Sequence, residues 1–174
     1  MRSSDELARD ASVRIEARRG NWNGQVIGVG TGFFVSEDGM LLTAYHVVDP
    51  SNTSVRNPYY VAITADERVY RLEMVGFDAY LDLAALRANV TGPVPYLQLA
   101  DRAPTTGTPV VAIGNSRDDF LAPRAGRVTR LGVQASRADF ADDTMELTNS
   151  LAPGDSGGPV VNNRAEVVGV VSFI

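Results

Sequence analysis

The stretch LAPGDSGGPVV, residues 151–161, places one serine, Ser156, between an aspartate and two glycines at the start of an apolar run. The glycines at 154, 157 and 158 allow backbone conformations that a residue with a Cβ atom adopts only at a cost. Two interpretations are open at this point. The stretch is either a tight turn that leads into a strand or the turn that carries a nucleophilic serine.

Short apolar runs separated by Gly, Pro, Asn and Asp extend outward from this stretch over most of the chain. Runs of this length and spacing predict an all-β barrel or sandwich. A short leading helix is predicted over residues 3–11, SSDELARDA, because a serine cap precedes good helix formers. The predicted strands cover residues 12–17, 26–36, 40–48, 59–65, 69–77, 83–88, 109–115, 123–133, 144–149, 159–163 and 166–173.

The composition excludes several classes of site and partner. The net charge of −5, with the basic residues scattered, disfavours nucleic acid and acidic membrane surfaces as partners. The absence of cysteine excludes disulfides and cysteine-ligated metals, and a single histidine excludes a histidine-rich zinc site. We therefore expect neither a metal nor a cofactor. The start of the chain does not resemble a signal peptide, and no apolar stretch is long enough for a membrane span, so the location is either cytoplasmic or set by a removed targeting segment.

Two glycine- and proline-containing segments bear on the organisation of the chain. The run GVGTG, residues 28–32, lacks the spacing of a dinucleotide-binding loop, because Phe33 stands where the third glycine would be. Bends or bulges of a coiled barrel explain these glycines better. The segment 89–107 is the best candidate for a linker, which predicts two halves, 1–95 and 96–174.

A nucleophilic serine needs a base, and the base needs a group that orients it. His46, in LLTAYHVVD, is the only histidine, although a lone histidine on an apolar strand is also typical of a packed core. The motif around Ser156 also fits the elbow of α/β-hydrolases, but there the histidine follows the serine. Subtilisin-like order would need an α/β chain. What remains is histidine, then acid, then serine on a β scaffold.

Asp82 is the favoured acid because a largely apolar strand follows it directly, so that its carboxylate is expected to be partly buried and hydrogen-bonded. Asp78, in a more turn-like setting, is the alternative. The other acids between His46 and Ser156 lie mostly in polar turns, where a solvated role is the default. They are Asp49, Asp66, Glu67, Glu73, Asp101, Asp118, Asp119, Asp139, Asp142, Asp143 and Glu146.

The blocks LLTAYHVV, DLAALRA and PGDSGGPVV resemble, in this order, the three signature blocks of trypsin-like serine proteases of the chymotrypsin fold. The resemblance covers residues 12–174 and is closer to the bacterial HtrA/Deg-like branch. It implies two packed six-stranded antiparallel β-barrels, with His46 and Asp82 in the first and Ser156 in the second. A short N-terminal helix precedes them.

The resemblance implies a role for each matched residue. Ser156 would be the nucleophile, His46 the general acid–base and Asp82 the carboxylate that orients it. The backbone N–H groups of Gly154 and Ser156 would form the oxyanion hole. The activity implied is that of a serine endopeptidase acting on peptides or unfolded proteins.

The primary specificity pocket is also implied by the resemblance. No acidic residue stands at its floor, so a substrate Arg or Lys would bring an unpaired charge into the pocket. We therefore expect cleavage after small to medium aliphatic residues. The pocket residues are Ser150 at the floor and Val171, Ser172, Phe173 and Ile174 in the wall.

The sequence departs from the family pattern at two places. Asp155 stands where HtrA-like proteins usually carry Asn, and we expect it to accept backbone N–H groups or to pair with an arginine. The chain stops at Ile174, where the family continues with another strand, which implies a truncated second barrel or an edge completed by another segment.

HtrA-like proteins often form trimers, so a homo-oligomer is a further expectation. The alternative to an enzyme is a non-catalytic peptide-binding or regulatory module, and a further alternative is a proteolytic sensor domain of a larger multidomain chain.

Overall fold

The computed structural model describes residues 2–133 and 144–172, and strands dominate this part of the chain. The helices are α1 (Ser4–Asp10) and the single turn α2 (Tyr45–Val48), and 3-10 turns cover Pro50–Asn52 and Ser116–Asp118. The strands are β1 (Ser12–Arg18), β2 (Val26–Phe34), β3 (Met40–Thr43), β4 (Tyr59–Thr64), β5 (Val69–Asp78), β6 (Leu83–Ala88), β7 (Pro109–Gly114), β8 (Ala122–Val133), β9 (Thr144–Leu147), β10 (Pro159–Val161) and β11 (Val167–Val170).

The first six strands form a closed antiparallel barrel in the order β1-β2-β3-β6-β5-β4. Closure is made by β1, which pairs with both β2 and β4, as in Ile15↔Gly30 and Ile15↔Ala62. Alternate apolar residues of the strands point inward and are buried, which accounts for the barrel prediction. Its core consists of Val13, Ile15, Phe34, Leu41, Val48, Ala62, Tyr70, Leu72, Ala84, Leu86 and Ala88.

The second half is a five-stranded sheet in the order β11-β10-β7-β8-β9. The predicted second barrel has its truncated form, because five strands of the described residues curl around a smaller core. An all-β, chymotrypsin-like architecture with a truncated second barrel is confirmed. The core of this sheet consists of Val110, Ala112, Val128, Val160 and Val171.

Helix α1 begins as predicted, because the Ser3 side chain accepts a hydrogen bond from the Glu6 N–H at 3.2 Å. Its buried face carries Ala8, which belongs to a third core cluster together with Phe33 of β2 and Ile113 of β7. The helix is thus packed where the two halves meet. Neither described helix has the length and hydropathy that a membrane span requires.

The prediction of one strand over residues 40–48 is wrong in its second part. Strand β3 ends at Thr43, the last residue that pairs with both β2 and β6. The chain then turns into α2, which begins after Ala44. This helical turn moves His46 out of the sheet and onto its rim, where a strand would have kept the residue in the ladder.

The segment 89–107 is irregular, as a linker would be, but it is bound to both halves. The Leu97 N–H donates to the Phe34 carbonyl at 3.0 Å, and the Ala100 N–H donates to the Val167 carbonyl at 2.8 Å. Leu99 also forms an isolated parallel bridge with Val167. The boundary near residue 95 stays a prediction.

The glycines of β2 serve two purposes. The register of β1 and β2 shifts between Ala17 and Arg18, opposite Gly28, which is the irregularity expected of a coiled barrel. Gly30 is required by a close approach, since a Cβ atom there would lie 2.4 Å from a methyl carbon of Val47 in α2. The small residue allows the helical turn that carries His46 to pack against β2.

The hydroxyl group of Tyr60 gives a test of this core. It is buried and has no hydrogen-bond partner among the described residues, and burial raises the pKa of Tyr60 to about 12. We expect Tyr60→Phe to leave the free energy of unfolding unchanged or to increase it by about 1 kcal/mol, because a buried hydroxyl without a partner is destabilising. Urea denaturation measures this, with Tyr59→Phe as the neighbouring control. A loss of stability in Tyr60→Phe alone would contradict the interpretation.

Candidate active site

Ser156 lies in the turn between Ala152 and Gly158, directly before β10, and its residue surface is 7% exposed. The turn is held from both halves of the molecule. The Thr31 N–H in β2 donates to the Ser156 carbonyl at 2.9 Å, and the Gly157 N–H donates to the Val171 carbonyl at 2.8 Å. The position of Ser156 therefore depends on the first barrel as well as on the second sheet.

The glycine after the serine is required by the packing of this turn. Gly157 has φ of +89°, and a Cβ atom there would lie 2.1 Å from both the Thr31 carbonyl oxygen and Thr43 Oγ1. The next nearest atom is the backbone nitrogen of Ala44, at 3.0 Å. Since Ala44 directly precedes α2, the glycine brings the Ser156 turn against the element that carries His46.

His46 and Asp82 form a doubly hydrogen-bonded pair. The ring atom Nδ1 of His46 lies 2.7 Å from Asp82 Oδ2, and the backbone N–H of His46 donates to Asp82 Oδ1 at 2.9 Å. The preceding N–H, of Tyr45, donates to the Asp82 backbone carbonyl at 3.1 Å. These contacts fix the orientation of the imidazole ring, and its other nitrogen, Nε2, has no hydrogen-bond partner among the described residues.

Asp82 lies in the turn between β5 and β6 and is 2% exposed, in agreement with the expected burial. Its φ of 55° is in the left-handed region, which aspartate tolerates better than most residues. The hydroxyl of Ser172 donates to Asp82 Oδ2 at 2.6 Å. Burial by itself would raise the pKa of Asp82, but the hydrogen bonds from His46 and Ser172 outweigh it and lower the pKa below the ordinary value.

Asp78, the alternative acid, has a different role in the structure. It is exposed, and its Oδ1 atom accepts the N–H groups of Tyr80 and Leu81 at 3.0 and 3.1 Å. These bonds form the turn that leads to Asp82. Of the two acids that the sequence favours, the structure brings Asp82 to the histidine.

The Ser156 hydroxyl makes no hydrogen bond within the described residues, so the His46–Asp82 hydrogen bonds are present without one from Ser156 to His46. Hydrogen bonds of this kind often tighten only when a substrate is bound. The backbone N–H groups of Gly154 and Ser156 are also without an acceptor in the part of the chain that is described. Ser156 is buried and Gly154 is half-buried, and neither N–H is used by the hydrogen bonds that hold the turn.

The residues assigned to the specificity pocket are only partly described. Ser150 is exposed, and its carbonyl and hydroxyl oxygens accept hydrogen bonds from the Arg117 guanidinium at 3.1 and 3.3 Å. Val171 is buried in the second core, and the Ser172 hydroxyl is turned towards Asp82. Phe173 and Ile174 lie outside the described residues.

Asp155 is fully buried and accepts hydrogen bonds from the backbone N–H groups of Ser116 and Ala152, both at 3.0 Å. It also accepts the Ser116 hydroxyl at 2.7 Å. The expectation that Asp155 accepts backbone N–H groups is thus met. Sequence reasoning did not identify Ser116, or Ser172 as a partner of Asp82, because neither residue belongs to a motif that indicates such a contact.

Comparisons with known proteins indicate the family of this chain. The trypsin-like peptidase domain family matches residues 30–170. The serine endoprotease DegS of Escherichia coli (strain K12) is 29% identical over 82% of this chain and 39% of its own length. A protein of Rhizobium meliloti (strain 1021) with the name "Probable periplasmic serine endoprotease DegP-like" is 32% identical over 83% of this chain and 28% of its own length. The anti-sigma-I factor RsgI9 of Acetivibrio thermocellus is 31% identical over 87% of this chain and 20% of its own length. The chain thus spans well under half the length of each of these relatives.

The lowered pKa of Asp82 predicts how stability depends on pH. The ionised carboxylate favours the folded state, so its contribution is complete above the ordinary pKa of 3.8 and is lost as the pH falls through the lower folded value. We expect the wild type to be more stable than Asp82→Asn at pH 6 and to lose this advantage towards pH 3. Urea unfolding at both pH values measures the difference. A difference that does not change with pH would contradict the assignment.

Proposed function

Because this chain belongs to the trypsin-like peptidase family, with HtrA/Deg-like serine proteases among its relatives, we propose that it is a serine endopeptidase that acts by acyl transfer. The observation that carries the proposal is the His46–Asp82 pair beside the Ser156 turn. A histidine held through one ring nitrogen by a buried carboxylate is oriented to take a proton at the other.

In the proposed reaction, Ser156 Oγ attacks the carbonyl carbon of a peptide bond and gives its proton to His46 Nε2. The negative charge on the carbonyl oxygen is stabilised by the N–H groups of Gly154 and Ser156, which are the donors left unpaired by the turn. His46 then donates the proton to the leaving amine, and an acyl-enzyme forms on Ser156. Water, deprotonated by His46, releases the acyl group and restores the serine.

The role of Asp82 is to keep the proton of His46 on Nδ1 and to stabilise the imidazolium that forms during each step. Ser172 supports this role, since its hydroxyl satisfies the carboxylate oxygen that also faces the ring. A peptide substrate is the natural ligand for a site that offers two backbone donors beside a nucleophile.

A second candidate is a non-catalytic peptide-binding or regulatory module. Two observations favour it: the Ser156 hydroxyl has no hydrogen bond among the described residues, and one relative is named an anti-sigma factor. The fold and the buried pair would then position a peptide without cleaving it. Assembly into homo-oligomers stays a prediction in either case.

A fluorophosphonate probe distinguishes the two candidates. We expect covalent labelling of the wild type at Ser156, found by mass spectrometry, and none in Ser156→Ala or His46→Ala. Asp82→Asn should reduce turnover of a peptide ester by about 10⁴-fold, because the histidine adopts the wrong tautomer. Asp78→Asn serves as the matched control, since it removes a nearby acid that does not contact His46. Folded wild-type protein that takes no label would favour the binding module.

For specificity, we propose cleavage after small to medium aliphatic residues. Ser150, at the floor of the pocket, carries no charge, and the guanidinium that contacts it from Arg117 opposes a second positive charge. In a peptide library analysed by mass spectrometry, we expect Ala, Val and Leu before the cleaved bond. Cleavage chiefly after Arg or Lys would contradict this pocket, and cleavage after Asp or Glu would show that Arg117 faces the substrate.

A further inference from the structure

We propose that Asn115 and Ser116, in the loop between β7 and β8, are positioning residues. They act on the turn between Ala152 and Gly158, which carries the proposed oxyanion-hole donors. They hold the residues around Ser156 so that the N–H groups of Gly154 and Ser156 keep one direction. The inference rests on the proposed peptidase function and concerns residues that do not touch the substrate.

The first contact is between Ser116 and Asp155. Ser116 is 1% exposed, and both its N–H and its hydroxyl donate to the Asp155 carboxylate, at 3.0 and 2.7 Å. The third donor, the Ala152 N–H, comes from the turn itself. A fully buried carboxylate has to be satisfied by donors, so the aspartate is held where Ser116 places it.

The backbone of the loop is shaped to allow this contact. A Cβ atom at Gly114, the residue before Asn115, would lie 2.0 Å from Asp155 Oδ1. No side chain other than that of glycine leaves room for the carboxylate at this distance. The end of β7 is therefore built around Asp155, and the contact with Ser116 follows directly from that approach.

The second contact consists of two hydrogen bonds that connect Asn115 to Gly154 through the hydroxyl of Thr31. The side-chain amide of Asn115 donates to Thr31 Oγ1 at 3.0 Å, and the Thr31 hydroxyl donates to the Gly154 carbonyl at 2.8 Å. The N–H of the same peptide group, on Asp155, donates to the Ala152 carbonyl at 3.0 Å. The peptide group between Gly154 and Asp155 is thus fixed at both of its polar atoms.

These contacts determine where the free donors point. The Gly154–Asp155 peptide group lies between the peptide groups that carry the Gly154 and Ser156 N–H groups, which have no acceptor among the described residues. The Ser156 N–H belongs to the peptide group between Asp155 and Ser156. The carbonyl of that group accepts a hydrogen bond from the Gly158 N–H at 3.1 Å. With the central peptide group and the Asp155 side chain both held, the turn keeps little freedom to rotate its two donors.

The loop between β7 and β8 has a backbone conformation that its residues do not favour by themselves. Arg117, Asp118 and Leu121 all have φ between 50° and 59°, which is unfavourable for residues other than glycine. Asn115 Oδ1 accepts the Leu121 N–H at 2.9 Å, and Arg124 donates to Ser116 Oγ at 3.2 Å and to Asp119 Oδ2 at 3.1 Å. The same residues that position the turn therefore also hold their own loop.

The test is the Ser116→Ala variant, assayed with a peptide ester. We expect kcat to fall by roughly 10- to 100-fold with KM nearly unchanged, because a small displacement of the oxyanion donors affects the transition state more than substrate binding. Affinity for a peptide boronic acid, which places an oxygen on the same donors, should weaken by the same factor.

Ser12→Ala is the matched control. Ser12 is also fully buried, and its hydroxyl makes one hydrogen bond, to the Ala8 carbonyl at 2.6 Å, far from the site in sequence. We expect this variant to lose stability in urea without a change in kcat. Equal losses of kcat in the two variants would mean that Ser116 acts only through general stability and would overturn the proposal.

A double-mutant cycle with Asp155→Asn tests whether Ser116 acts through Asp155. We expect Ser116→Ala to reduce kcat much less in the Asp155→Asn background than in the wild type, whereas independent, additive losses would overturn the proposal. Should Ser116→Ala fail to fold, Thr31→Val removes the hydroxyl between Asn115 and Gly154 with little change of shape. An unchanged kcat in that variant would overturn the proposal as well.

Failure of this inference is separable from failure of the proposed function. An active wild type together with an equally active Ser116→Ala variant overturns the positioning role alone. A folded wild type that takes no fluorophosphonate label overturns the peptidase function and, with it, this inference.

Discussion

The burial of the Asp82 carboxylate is the constraint on which the arrangement of the site depends. A buried carboxylate needs donors, and it receives them from the His46 backbone, the His46 ring and the Ser172 hydroxyl. The donors come from two places: the turn after β3, and the residue that follows Val171 at the end of the second sheet. A single charge that has to be satisfied therefore ties the first barrel to the second sheet at the point where the reaction is proposed to occur.

The same requirement recurs on the other side of the nucleophile. Asp155 is as deeply buried as Asp82, and its donors come from Ser116 and from its own turn. The donors are the N–H and hydroxyl groups of Ser116 and the N–H of Ala152, so the carboxylate is hydrogen-bonded at both of its oxygens. The two carboxylates differ in what they hold, since Asp82 accepts from His46 and Asp155 accepts from the loop that precedes β8 and from the turn of Ser156.

The sequence predicted the local features of this molecule, and the resemblance supplied the proposed roles of the site residues, of which the structure joins His46 and Asp82 by hydrogen bonds. The strands, the leading helix and the burial of Asp82 follow from periodicity, capping and the position of an acid before an apolar strand. The end of β3 at Thr43 was missed because an apolar run does not reveal where a ladder loses its partner strand. Ser116 and Ser172 were missed as carboxylate partners for a related reason. Their contacts span 39 and 90 residues, and no local pattern encodes a hydrogen bond over such a separation.

The way in which the turn is held links activity to the packing between the two halves. The Ser156 carbonyl is bound by Thr31, and the Gly154 carbonyl is bound by the hydroxyl of the same residue. Thr31 is fully buried in β2 and receives the Asn115 amide from the second half. A local separation of the halves would break these bonds while leaving each sheet folded, because the strand pairings lie within the halves. Such a separation would also open the core cluster that the two halves share, around Phe33 and Ile113. The geometry of the proposed active site therefore depends on the packing between the barrel and the sheet.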